Sequence, residues 1–471
     1  MAKLESRGKY LAKNTLIFTL GNIGSKVISF FLIPLYTNYL STKQYGIVDL
    51  ITTIATVAVP VITLNIGEAL MRFGLDKDAD HEQNTQIGSF MLLLAAIIGL
   101  VIFPICGRIT DVSNYAGYVY FYILSLAASQ IYLCDLRGKE MLLKYSIGSI
   151  LVTFLTAIFN IIFLVGMHVG IEGYLMAYSL ANFATAIYAL IAGKGYRSFG
   201  FSRFDKKLMG QMAKYSFVLI PNTFMWWIMN SSDRIMVTAM VGAAANGIYA
   251  ISYKIPSIVS TATNIFNQAW SYSAIREENA IDEVEYNNRM LRMLTGGGML
   301  VGIFILAITK PFLRIYVAPS YYEAWEYTPF LVIGFVYMTV GSFIATSYTV
   351  HKDSFGFLFS GMTGAVINIV LNAILIPFGK VYGAAIATCV SYIAVFVFRY
   401  YHTKRYMNYN IHTPEFIIGS LLLFISSVCM FINNYVGLAV QFIFFIIAMV
   451  LFSRDWLPIV RKVFSRLDSK S

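Results

Sequence analysis

Charged side chains are scarce in this chain: Asp, Glu, Lys and Arg make up 13% of its 471 residues, against about a quarter in soluble globular proteins. That scarcity excludes an ordinary soluble enzyme. Cysteine is scarce as well, with Cys106, Cys134, Cys389 and Cys429 each standing singly in or beside an apolar run. Without a CxxC pair or a Cys/His cluster, neither a zinc site nor a disulfide scaffold is indicated. No G-x-x-x-x-G-K-[ST] loop or other nucleotide motif occurs, so no cofactor is expected. Apolar residues dominate instead, at 58% of the chain, with a mean hydropathy of +0.67. Apolar runs long enough to cross a bilayer as helices recur from end to end. The 35 Lys and Arg against 24 Asp and Glu give a net charge of +11. This balance suits anionic lipid headgroups or an anionic substrate, and nucleic acid is not expected without a soluble basic domain.

The first run, 14–35, follows a basic leader but is a full helix long and lacks an A-x-A-like exit, so it reads as a span and not a signal peptide. Thirteen more follow near 46–70, 86–105, 116–134, 146–166, 172–192, 215–233, 247–270, 290–309, 328–349, 355–377, 381–401, 415–432 and 437–452. The expectation is an all-α polytopic membrane protein of about fourteen transmembrane helices. Loop charge orients it, because Lys and Arg accumulate on the cytoplasmic side. With the N-terminus inside, inner segments carry 27 Lys and Arg, whereas outer loops carry only Lys43, Arg108, Arg234, Lys310, Arg314 and Lys380. Both termini are therefore expected in the cytoplasm of a bacterial cell membrane.

A duplication lies beneath the apolar background. Sliding the chain by 201 positions lays Ala12-Lys13 on Ala213-Lys214 and Tyr45-Gly46-Ile47 on Asn246-Gly247-Ile248. Slightly larger offsets lay Asn160 on Asn372 and Gly173 on Gly383. Six helices per copy is an even number, so the copies run parallel, as in transporters whose substrate path lies between two halves. The expected domains are a six-helix lobe over 1–193, a basic cytoplasmic linker over 194–214, a second six-helix lobe over 215–405, and two further helices with a tail over 406–471.

Polar faces recur on the repeat-equivalent helices 1, 2, 7 and 8. An ionisable group at mid-bilayer costs about 2.5–3.5 kcal/mol, so those present usually face a cavity or a partner. Lys26 lies twelve residues into the first helix, about 18 Å from its inner end at 1.5 Å per residue, and Asn22, Ser25 and Ser29 share its face by helical spacing. Lys254 heads a similar stripe with Ser257, Thr261, Asn264 and Gln268, and helix 7 carries Asn222, Trp226, Asn230 and Asp233. Of these, Lys26, Lys254, Asn22, Ser25, Asn264, Gln268, Asn222, Trp226 and Asn230 are the candidate substrate-binding set. Two ammonium groups in a partly wet cavity imply an anionic ligand, each contact being worth about 4 kcal/mol at 4 Å and an effective dielectric of ~20 before desolvation. A diphosphate fits. Asp49, Glu68 and Asp233 either hold a proton or sodium ion that drives the cycle or neutralise Lys26, Lys254 and Arg234. Single Ser, Thr and Asn residues equally serve as hydrogen-bonding glue between helices.

The stretch Ala213-Lys214-Tyr215-Ser216 through Pro221, Trp227, Asp233-Arg234 and Gly247-Ile248-Tyr249 to Lys254 is similar to the seventh and eighth helices of the polysaccharide transporter family, the Wzx-type flippases. Lys13-Asn14-Thr15 through Pro34-Leu35-Tyr36 to Gln44-Tyr45-Gly46 resembles their first helix and the following turn. The resemblance implies the MOP superfamily fold, with two six-helix lobes, and outward movement of a polyprenyl-diphosphate-linked oligosaccharide by alternating access for surface polysaccharide synthesis. Polysaccharide polymerase or assembly proteins are the implied partners. In the lipid II branch of that superfamily, basic residues on helices 1, 2 and 8 meet the diphosphate. Lys26 and Lys254 match two of those places, whereas helix 2 has Asp49 and threonines instead.

Two other classes compete. A drug antiporter of the same fold would carry acidic groups where these lysines stand. A membrane polymerase or ligase would need a catalytic constellation on a sizeable outer loop, and the longest one, Lys310 to Tyr327, offers only Arg314, Glu323 and Glu326. The chain is therefore expected not to be an enzyme.

Overall fold

The computed structural model describes residues 24–106, 112–198, 204–276, 281–432 and 434–468, and among them the regular structure is helical. The helices are α1 (24–39), α2 (Thr42–Ile62), α3 (Ile66–Gly74), α4 (His81–Cys106), α5 (Ala116–Gly138), α6 (Leu142–Asn160), α7 (Ile171–Ala192), α8 (Lys206–Met240), α9 (Ala243–Lys254), α10 (Ser257–Arg276), α11 (Glu283–Tyr316), α12 (Thr328–Ile344), α13 (Thr346–Val350), α14 (Ser354–His402), α15 (Pro414–Cys429) and α16 (Tyr435–Asp468). Nine described stretches are apolar and long enough to span a membrane by themselves. Dividing Ser354–Arg405 at Lys380 and adding α1, α8, the α9–α10 pair and the 16-residue α15 makes fourteen crossings among the described residues. The added α8 and α9–α10 are helices whose polar faces dilute their hydropathy.

Local chemistry sets the boundaries. At the start of α2 a capping box links Ser41 and Gln44, each side chain taking a backbone N–H of the other. Pro60 lies in the last turn of α2, and the chain passes through the left-handed region at Leu64 (φ 50) and Asn65 (φ 53) before α3 begins. The second crossing is therefore broken. Gly242, with φ 124 and ψ 162, makes the turn from α8 to α9 in a conformation that only glycine adopts cheaply. Lys380 (φ 49, ψ −126) separates the two halves of α14, between the spans expected at 355–377 and 381–401. Asp353 caps the other end of α14 by accepting the Gly356 N–H at 2.9 Å. That bond, reinforced by Arg405, holds the Asp353 carboxyl below the usual range.

The chain divides into two compact units, Met1–Trp227 and Ile228–Ser471. In the first, α5 packs against α3, α4 and α7. Ile66, Leu70, Ile87, Ile131 and Leu136 form its buried centre, with Met212 of α8. Gly74 and Gly138 let α3 and α5 approach closely: a Cβ on Gly138 would lie 2.5 Å from the Leu70 carbonyl oxygen. In the second unit α12 packs on α14, and α15 and α16 dock on α11. The Phe452 ring fits there against Gly296 and Gly419, where a Cβ would come within 2.7 and 2.6 Å of it. Small residues admitting a neighbour's side chain are the usual basis of helix association in lipid.

Candidate functional site

Among the described residues, a buried polar cluster centres on Asp233 of α8, 1% exposed. Its Oδ2 accepts the Tyr249 hydroxyl of α9 at 2.6 Å and the Thr388 hydroxyl of α14 at 3.2 Å, and its Oδ1 accepts the Arg234 backbone N–H at 2.9 Å. Asn368, one turn before Asn372, donates to Thr388 at 3.4 Å and accepts from Ser232 and Asn372 at 3.1 and 2.9 Å. The Arg234 guanidinium lies 5.2 Å from the Tyr253 ring centre. Asn372 is fully buried, and its Oδ1 has no hydrogen-bond donor. The result is a buried hydrogen-bonded cluster around one carboxylate, all within the second unit. α8 runs on to Met240, two turns beyond the boundary expected near 233, and this continuation puts Asp233 inside the helix packing instead of at an interface.

The first unit answers with different chemistry. Asn160, the repeat counterpart of Asn372, is likewise 0% exposed with an Oδ1 that lacks a donor. Leu32, 201 positions before Asp233, is buried and apolar. The same unit holds a tyrosine cluster: the Tyr36 and Tyr178 hydroxyls are 3.4 Å apart, and Tyr174 stacks on Tyr178 at 4.6 Å. Glu68 and the α2–α3 break lie elsewhere in this unit, on a cavity of about 230 Å³ that Asn65, Gln130, Cys134 and Tyr145 also line. Asp49 is buried in α2 at 5% exposure.

The candidate substrate residues are distributed as follows. Lys26 is exposed on α1, and the Ser25 hydroxyl donates to the Ser149 carbonyl at 2.9 Å, which is helix glue. Lys254 is the half-buried last residue of α9, at the junction with α10. Asn264 is exposed on α10. Trp226 is half-buried on α8, and Asn230, one turn on, accepts the Tyr392 hydroxyl at 3.0 Å. The neighbouring Trp227 is the tryptophan that bonds α2, donating its indole N–H to the Thr53 carbonyl at 3.0 Å. Asn22 and the side chains of Asn222 and Gln268 lie outside the described residues.

Over residues 11–272, more than half its length, the chain matches the family described as polysaccharide biosynthesis protein. It belongs to that family. An uncharacterized membrane protein of Methanocaldococcus jannaschii is 22% identical over 411 residues, which are 82% of this chain and 96% of the relative. Among solved structures, the lipid II flippase MurJ in an inward closed conformation is similar with a TM-score of 0.65 and 12% identity, covering 94% of this chain and 100% of that one. An inward-facing MATE-family multidrug resistance transporter of the MOP superfamily gives 0.63 and 11%, covering 88% and 96%. A MOP superfamily transporter from Pyrococcus furiosus, described as having a binding pocket of reverse polarity that suggests a different function, gives 0.55 and 12%, covering 89% and 95%. This polysaccharide biosynthesis protein is thus a multi-pass membrane protein with the fold of flippases and transporters, and its family and neighbours are not enzymes.

Sequence reasoning named Asp233 without its partners. Tyr249 of α9 and Thr388 of the second half of α14 bond it directly, and Asn368 of the first half bonds Thr388. The match of Asn160 to Asn372 and the i, i+4 pair Asn368/Asn372 were the available signals.

Proposed function

We propose that this polysaccharide biosynthesis protein is a flippase that moves a polyprenyl-diphosphate-linked oligosaccharide from the inner to the outer leaflet of the cell membrane by alternating access. Two parallel six-helix halves and two C-terminal helices form the working unit in this reading, with both termini cytoplasmic. The observation that carries it is family membership combined with Lys26 and Lys254 on polar faces of spanning helices. A diphosphate and its sugars must pass ~30 Å of hydrocarbon, and ammonium groups along a polar path lower that barrier. A substrate-cation antiporter would be served by carboxylates at those positions, so the antiporter reading is second. The absence of a nucleotide motif leaves an ion gradient, the membrane potential or removal of product to drive the cycle.

The test is export of the lipid-linked glycan in a flippase-deficient strain. Lys26→Ala and Lys254→Ala are each expected to reduce export at least tenfold with unchanged membrane insertion. Full activity of the double variant would remove the cationic path.

Ion coupling belongs to Asp233 in this proposal. Oxygen-only ligands suit a hard cation such as sodium, and the Asp233 carboxylate, the Thr388 hydroxyl and the carbonyl oxygens of Asn368 and Asn372 supply such a set. A proton on Asp233 would serve the same charge balance. Purified protein titrated with sodium at constant ionic strength, choline replacing it, is expected to gain thermal stability, and Asp233→Asn is expected to abolish the gain. A stability that rises with proton concentration but not sodium assigns the proton, and indifference to both removes Asp233 from coupling.

A further inference from the structure

A cavity of about 540 Å³ opens in the second unit, where the end of α11 meets the α15–α16 turn and the 3₁₀ segment Pro319–Glu326. That volume lies in the range of ligand pockets. Its walls include Lys310 and Arg314 from one face of α11, Tyr322 and Trp325 from the 3₁₀ segment, and Asn434 and Tyr435 from the start of α16. The Lys310 ammonium sits 3.8 Å from the Trp325 ring centre, and Arg314 donates its Nε–H to the Tyr322 hydroxyl at 3.2 Å. Both cations are thereby held in place by aromatic groups. The nearby carboxylates are engaged by tyrosines: Glu323 accepts the Tyr327 hydroxyl and Glu326 that of Tyr382. Neither lines the cavity.

Three features point to a ligand. By the loop-charge reading only six basic residues face outward, and two of them meet in this cavity, one helical turn apart. Arginine pairs phosphate oxygens through its fork of N–H donors while lysine contributes a point charge. Ile315 and Val436, each next in the chain to a lining residue, stand open at 89% and 62% exposure, as suits a hydrocarbon chain beside a polar head.

We propose that this pocket binds the phosphate headgroup of an outer-leaflet amphiphile, with Arg314 and Lys310 on the phosphate and the aromatic and amide groups around the rest of the head. It is a second anion site, formed within one unit and sharing no residue with the Lys26 and Lys254 path. It rests on the proposed function only for the orientation of the chain. An anionic phospholipid and a translocated polyprenyl diphosphate share this chemistry.

The experiment titrates the purified full chain in neutral detergent with didecanoyl phosphatidylglycerol, geranylgeranyl diphosphate and, as an uncharged control, geranylgeraniol. It is repeated in a Lys26→Ala/Lys254→Ala background, so that the outcome is independent of the flippase reading. Lys310→Gln/Arg314→Gln is expected to weaken binding of both phosphate amphiphiles at least tenfold in either background and to leave geranylgeraniol unchanged. Leu438→Trp, which fills the cavity and keeps both charges, should weaken it likewise. A preference for the diphosphate supports the site with the carrier lipid as its source, and equal binding supports it with bulk lipid as its source. Phosphate-amphiphile binding that is absent, or unaltered in both sets of variants, overturns the proposal.

Discussion

Individual polar residues in this protein are decided by what surrounds them. Lys139 counts as a loop charge in the sequence, yet its ammonium is buried: it bonds Asp135 at 2.6 Å, the Thr85 hydroxyl at 2.8 Å and the Gly193 carbonyl at 3.1 Å. The two side chains are 8% and 6% exposed. Removing one partner of a buried pair leaves an uncompensated charge and costs about 3–5 kcal/mol, whereas replacing both by apolar groups is often neutral. Lys139→Met should therefore lower the unfolding temperature of the detergent-solubilised protein markedly, and Lys139→Met/Asp135→Leu should recover most of the loss. If the double variant is no better than the single one, the pair is not a closed electrostatic unit. The same logic separates Asp233 from Leu32. Both are buried, and the Asp233 carboxylate is held there by the Tyr249 and Thr388 hydroxyls.

Among elements, α3 and α5 cross closely in the first unit. A methyl group at Gly138 would meet backbone, the Leu70 oxygen at 2.5 Å and the Gly74 Cα at 3.3 Å, so no rotamer change can relieve it. Overpacking of this kind costs about 1–3 kcal/mol. Gly138→Ala is expected to lower the thermal midpoint, while Gly210→Ala, on an exposed position of α8 with nothing within 4 Å, is expected to leave it unchanged or raise it. Equal effects of the two would mean that α3 and α5 can separate freely. The broken crossings were less legible than the straight ones. Pro60 stands in the last turn of α2, but the left-handed turn that follows at Leu64 and Asn65 carries no glycine. Tertiary packing holds those residues where local propensity would not.

At the scale of the whole molecule, net charge and its distribution govern orientation. In a background without the native cysteines, Ser320→Cys should react with an impermeant maleimide on intact cells, and Lys352→Cys should react only after permeabilisation. The reverse pattern would invert the topology and with it the direction of export. The layout of fourteen crossings was readable because hydrocarbon demands long apolar helices and water demands charged ends, and both leave marks in composition.

Amino-acid order alone determined the membrane class, the all-helical fold and the family, since each depends on hydropathy, charge or spacing along one dimension. Only the folded chain decided which polar groups became sites. Asp233, Tyr249, Asn368 and Thr388 meet because α8, α9 and both arms of α14 pack together, and Lys310 and Trp325 meet because a short 3₁₀ segment turns back over α11. Sequence separation says nothing of such encounters. A buried carboxylate persists only where packing brings donors to it from several helices at once.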